Sequence, residues 1–65
     1  MLSRVASRIE HERVSRGWDY RALGKALGVS HSTAYDWAND NHQPTLKSLR
    51  RIARRLGIAL EELIA

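Results

Sequence analysis

Residues 21–39 read RALGKALGVSHSTAYDWAN, and the punctuation of this stretch decides the fold. Leu23 and Leu27 stand four apart, on one face of a helix. Gly28 then stops that helix, since glycine takes the left-handed conformation that bulky residues avoid. Val29 supplies an apolar anchor and Ser30 a new N-cap, so a second helix begins within three residues. In that helix, His31 to Ala38, Ala34 and Trp37 turn inward. At roughly 100° per residue, Ser32, Tyr35, Asp36 and Asn39 point the opposite way, with His31 at their flank. Gly24 sits inside the earlier helix, where it costs about 1 kcal/mol relative to Ala. Its presence predicts that the following helix crosses closely there, which a plain helical hairpin would not require.

Working outward, Asp19 is a natural N-cap for a helix from Tyr20 to Leu27. Gly17 ends a longer helix from Ser3 to Ser15, in which Val5, Ala6, Ile9 and the stem of Arg13 recur at helical spacing. Arg4, Arg8, Glu10 and Glu12 fall on its other faces. Downstream, Asn39 to Pro44 is rich in turn formers and reads as a loop, with Thr45 capping a helix from Leu46 to Leu56. Its stripe is Leu46, Leu49, Ile52, Ala53 and Leu56, while Lys47, Arg50, Arg51, Arg54 and Arg55 face water or a partner. Gly57 closes it. A last short helix, Leu60 to Ala65, carries Glu61 and Glu62 in its first turn, where the helix dipole favours them, behind a poor cap at Ala59. Spacing places Trp18 and Trp37 inside with Leu23, Leu27 and Ala34. The expected fold is all-α, five helices in one domain spanning residues 1–65, with no strand.

Composition narrows the function. The chain has 65 residues, 43% of them hydrophobic and 28% charged, within the globular range. A net charge of +4 favours an anionic partner such as nucleic acid. All nine arginines lie in two zones, Arg4 to Arg21 and Arg50 to Arg55. With no cysteine and three scattered histidines there is no zinc-spaced set, so neither metal nor other cofactor is expected. No apolar run approaches the roughly 20 residues of a membrane span, and the amino-terminal MLSRVASRIEHER lacks a signal-peptide core. A cytoplasmic location is expected. No group of residues converges in an acid/base or nucleophile arrangement, and so small a bundle leaves no sizeable pocket, which argues against an enzyme or a small-molecule ligand.

Two short helices joined by a tight glycine turn form helix-turn-helix geometry. WDYRALGKALGVSHSTAYDW followed by QPTLKSLRRIARRLGIALEEL resembles the Cro and lambda-repressor type of helix-turn-helix family over nearly the whole chain. The matching positions are Leu23, Gly24 in a small-residue slot, Leu27, Gly28, Val29, Ser30, Ser32 and Thr33, then Pro44, Leu46, Leu49, Ala53, Leu56, Gly57 and Leu63. The resemblance implies a compact five-helix bundle and a sequence-specific transcriptional regulator, a repressor of prokaryotic or phage type. It also implies a homodimer on double-stranded DNA with an inverted-repeat operator. The family's base-reading positions fall on His31, Ser32 and Asp36, all on the outward face that periodicity identifies. Serine donates or accepts at several bases, histidine bonds a purine N7, and a carboxylate accepts from the cytosine amino group. Tyr35 would touch a thymine methyl or a phosphate. The family's phosphate contacts map to Tyr20, Asn39 and the following loop, including Asn41, with Arg13, Arg21, Lys25 and Lys47 adding charge nearby.

Three positions depart from the pattern. The family often pairs an arginine of the first helix with a glutamate ending the third; here Arg13 faces Ala38. Asp40 stands for a usual glycine, and Tyr20 for a customary glutamine. The RRIARR run divides between a solvated face and distant phosphate or dimer contacts. Ile58, Leu60, Leu63 and Ile64 exceed what one small core needs, so part of this set is expected in a two-fold interface, with simple core closure as the alternative. A competing reading is an antitoxin-like or adaptor module that binds another protein through the last two helices, with DNA binding secondary.

Overall fold

The structure, a computed structural model, describes residues 3–65; Met1 and Leu2, which open the amino-terminal stretch read above, lie outside the described residues. Five helices follow in order: α1 (Arg4–Ser15), α2 (Tyr20–Leu27), α3 (His31–Ala38), α4 (Leu46–Leu56) and α5 (Leu60–Ile64). The first four start at a side-chain oxygen that accepts an otherwise orphaned backbone N–H. Ser3 Oγ accepts from Ala6 at 3.1 Å, Asp19 Oδ1 from Ala22 at 2.8 Å, Ser30 Oγ from Thr33 at 3.2 Å and Thr45 Oγ1 from Ser48 at 3.1 Å. Ala59 has no such oxygen. Instead Glu62 reaches back, its Oε1 accepting from the Ala59 N–H at 3.3 Å, and α5 ends one residue earlier than its sequence pattern suggests.

Every helix contributes to one core: Ile9 of α1, Leu23 and Leu27 of α2, Ala34, Trp37 and Ala38 of α3, Ile52, Ala53 and Leu56 of α4, and Leu63 of α5. The α3 helix packs on both α1 and α2, while α4 packs on α2 and α5. This leaves the opposite face of α3 uncovered by the other helices.

Three sequence expectations need correcting. Leu46 is 56% exposed, because the α4 stripe runs one turn beyond the edge of the core and buries only from Leu49 onward. Trp18 is half-buried at the core's rim, with the Arg16 guanidinium 5.1 Å from its ring centroid. Glu12, expected to face outward, is buried. Its carboxylate accepts from Arg8 Nε at 2.9 Å and from Arg16 Nε at 3.1 Å and Nη2 at 2.9 Å. Arg16 Nη2 also donates to the Leu56 carbonyl at 2.6 Å, and Arg8 Nη2 to Glu62 at 3.3 Å. One carboxylate thus fixes α1 to the carboxyl end of α4 and to α5. Burial by itself would push Glu12 up, but the hydrogen bonds and charges of Arg8 and Arg16 outweigh it and hold its carboxyl below the ordinary range.

Candidate nucleic-acid interface

The turn between α2 and α3 is built on two glycines. Gly28 adopts φ 75°, ψ 31°, and its N–H closes onto the Gly24 and Lys25 carbonyls. Gly24 permits the close crossing anticipated from the sequence. A Cβ there would lie 2.8 Å from the Val29 carbonyl oxygen and 3.1 Å from the His31 nitrogen, both backbone atoms. The first turn of α3 is therefore held directly against α2, and its outward side chains start from a fixed backbone.

Those side chains are His31 and Ser32, both exposed, Tyr35 at 46% exposure, and the half-buried Asp36. Neither His31 nor Ser32 has a side-chain hydrogen bond among the described residues, so both keep their full bonding capacity. Asp36 is steadied by the loop that follows: Asn41 Nδ2 lies 3.5 Å from Oδ1 and His42 Nδ1 3.6 Å from Oδ2, while the Asn41 N–H donates to the Asp36 carbonyl at 2.8 Å. Arg21, Lys25, Asn41 and Lys47 are exposed, and the three cations form no ion pair among the described residues.

The other residues expected at phosphates spend their donors inside the protein. Arg13 finds the carboxylate that Ala38 cannot offer one turn back on its own helix. Its Nε and Nη2 bond the two Glu10 oxygens at 2.8 and 2.7 Å, and its Nη1 donates to the Trp18 carbonyl at 2.8 Å. Arg13 holds the Glu10 carboxyl below the usual carboxylate range, and Glu10 in turn raises the guanidinium. Tyr20 lies under this pair, its ring centroid 4.3 Å from the Arg13 guanidinium carbon and its hydroxyl donating to Glu10 at 3.2 Å. Asn39 Nδ2 donates to the Tyr20 hydroxyl oxygen at 3.3 Å and to the Tyr35 carbonyl at 2.9 Å. A phosphate oxygen only accepts, so Tyr20 and Asn39, whose side-chain protons are already donated, have little left for it, while Arg13 has used three of its five N–H groups.

In the loop, Asp40 takes the left-handed conformation of the glycine it replaces, with φ 61°. Its Oδ2 accepts from the Ser3 N–H at 3.0 Å, which turns the substitution into a tether between the start of α1 and this loop. At the far end of the chain, Leu63 is fully buried and cannot join a two-fold surface; α5 needs it to close the core. Ile58 and Leu60 pack partly against the same core, and Ile64 is 48% exposed. Core closure accounts for most of that apolar set.

A helix-turn-helix family model matches residues 9–63, from the middle of α1 into α5. The chain belongs to the helix-turn-helix family. The match is of the Cro and lambda-repressor type, and it makes this chain a DNA-binding helix-turn-helix regulator with a lambda-repressor-like fold. Comparison with curated proteins and with solved structures returned no match. The matched segment contains both helices of the motif, α2 and α3, and the turn between them, which ends at the Ser30 cap of α3. No helix among the described residues is long and apolar enough to cross a membrane, and no group of three or more metal-ligating side chains is found there. Sequence reading missed Glu10 and Glu12. The signal for both was present: each carboxylate has arginine three or four residues away on its own helix face.

Proposed function

We propose that this protein is a sequence-specific regulator of double-stranded DNA, acting as a repressor of the Cro kind. It inserts α3 into the major groove, where His31, Ser32, Tyr35 and Asp36 meet base edges. The observation that carries this reading is the outward face of α3, whose first turn is fixed against α2 at Gly24 while His31 and Ser32 keep unspent hydrogen-bonding groups. Arg21, Lys25, Lys47 and Asn41 serve the phosphates, together with backbone N–H groups at helix starts. Two copies bind an inverted repeat, meeting through the little apolar surface left near α5, chiefly Ile64 with the edges of Ile58 and Leu60. So small a surface fits a dimer that assembles on DNA rather than before it. The cytoplasm or nucleoid of a prokaryotic cell is the matching location.

The test is a salt titration of binding to a duplex enriched from a random library and to its scrambled counterpart. The expected result is tight binding of two chains to the enriched duplex, with half-site centres about 34 Å apart or a multiple of that. The scrambled duplex is expected to bind more weakly by 10³-fold or more, roughly the usual specificity ratio. Equal and steeply salt-dependent affinity for both would leave only phosphate attraction and favour the protein-interaction module.

A further inference from the structure

Tyr20 occupies a place where a phosphate donor is expected, yet its proton goes to Glu10 and its oxygen receives Asn39. Its ring does something else. It meets the Tyr35 ring edge to face, with centroids 4.9 Å apart and planes at 70°, a favourable aromatic geometry. We infer that Tyr20 is a positioning residue for base reading, setting the direction in which Tyr35 leaves α3. This rests on the proposed recognition role of α3.

An exposed tyrosine on a helix ordinarily samples more than one staggered rotamer. Tyr35 is exposed on its outer side, but its inner side abuts a ring that is itself immobilised from two directions. From α1, Glu10 takes the Tyr20 hydroxyl proton and Arg13 covers the ring face. From the end of α3, the Asn39 amide joins the Tyr20 hydroxyl to the Tyr35 backbone carbonyl. Tyr20 and Tyr35 are therefore linked twice, ring to ring and through one amide, in a closed cycle between α2 and α3 that α1 braces through Glu10 and Arg13. The Tyr35 carbonyl, an acceptor, fixes which end of that amide faces it. Arg13 neutralises Glu10, so the carboxylate needed to hold Tyr20 does not leave an unpaired negative charge beside the DNA. An interaction of this aromatic kind corresponds to roughly three- to tenfold in an equilibrium constant.

The experiment measures affinities of the full chain for the enriched duplex and for the three duplexes altered at the base pair where Tyr35→Ala changes the preference. Tyr20→Gln is expected to cut discrimination at that base pair about three- to tenfold, leaving it unchanged elsewhere. The double variant Tyr20→Gln, Tyr35→Ala should lose no more there than Tyr35→Ala alone, as expected for two groups acting as a unit. Tyr20→Phe, which keeps the ring and the Arg13 contact but loses the hydroxyl tethers, should lose clearly less discrimination than Tyr20→Gln. Thermal melts establish that each variant is folded at the assay temperature. The inference is overturned if Tyr20→Gln weakens all duplexes equally with discrimination intact, if Tyr20→Phe loses as much discrimination as Tyr20→Gln, or if Tyr35→Ala changes no preference while other positions still discriminate. A wild-type protein that discriminates at no base pair would overturn both this role and the DNA-reading proposal.

Discussion

Asp40 shows how one residue can carry opposing effects. Its left-handed backbone costs about 1–2 kcal/mol relative to glycine, and the hydrogen bond it accepts from Ser3 returns about 1 kcal/mol. Asp40→Gly should therefore move the urea midpoint little, by an amount equivalent to within about 1 kcal/mol, while removing a negative charge from the proposed DNA side. Binding to enriched and scrambled duplexes is expected to strengthen alike; a loss of affinity would show that the Ser3 tether matters more than the charge. Glu12 is the opposite case, a buried carboxylate with three charged hydrogen bonds. Glu12→Gln should destabilise the fold by roughly 2–3 kcal/mol in urea denaturation, since Arg16 loses its counter-charge and Arg8 is left with Glu62 alone. The pH dependence has a definite sign. Glu10 and Glu12 are both lowered in the folded state. Their contribution is complete above the unfolded value near about 4.3 and is lost as pH falls through the lower folded values. Denaturation midpoints should be level from pH 7 to pH 5 and fall toward pH 3, less so in Glu12→Gln. The local arginine spacing of both carboxylates was legible in the sequence, but the burial of Glu12 was not. Period alone put Glu12 on a polar face, and only the arrival of the α4 carboxyl end and α5 beside that face encloses it.

At the scale of elements, far more was legible, because the boundaries are written in side-chain chemistry. Asp19, Ser30 and Thr45 each cap the helix they precede, Gly28 and Gly57 end α2 and α4 in the left-handed conformation, and Ser3, read as the first residue of α1, proves to be its cap. The close crossing was legible too, since a helical glycine needs a reason. Gly24→Val should test that reason: even its Cβ would press on the Val29 carbonyl at 2.8 Å. A loss of at least about 2 kcal/mol is expected from thermal or urea unfolding, the scale of overpacking, together with weakened DNA binding as the start of α3 is displaced. A stable variant with unchanged binding would contradict the account of the turn. Sequence reading failed where an element meets its edges. Leu46 continues the α4 stripe but extends past the core, and α5 stops before Ala65. Tyr20 illustrates the same limit for the site: which groups its hydroxyl and ring would meet depends on how three helices converge.

For the molecule as a whole, the distribution of charge follows from where the carboxylates are spent. Glu10 serves Arg13, Glu12 serves Arg8 and Arg16, and Glu62 serves Arg8, so the α1 and α5 side is largely neutralised. Arg21, Lys25 and Lys47, the cations proposed to meet phosphates, form no ion pair among the described residues, and neither do Arg4, Arg50, Arg51, Arg54 and Arg55. Arg21→Ala should weaken binding to all sequences alike and reduce the slope of log affinity against log salt by about one per chain. A change of base preference instead would move Arg21 from the phosphates to the bases. The central claim is that the outward face of α3 reads the sequence. The direct measurement is a parallel selection from one random duplex library, using the wild type and a variant with His31, Ser32, Tyr35 and Asp36 all changed to alanine. These positions are exposed or half-exposed, so the variant should fold and keep its phosphate contacts. The wild type should enrich an inverted repeat while the variant binds weakly and enriches nothing. Enrichment of the same repeat by both proteins would contradict the claim.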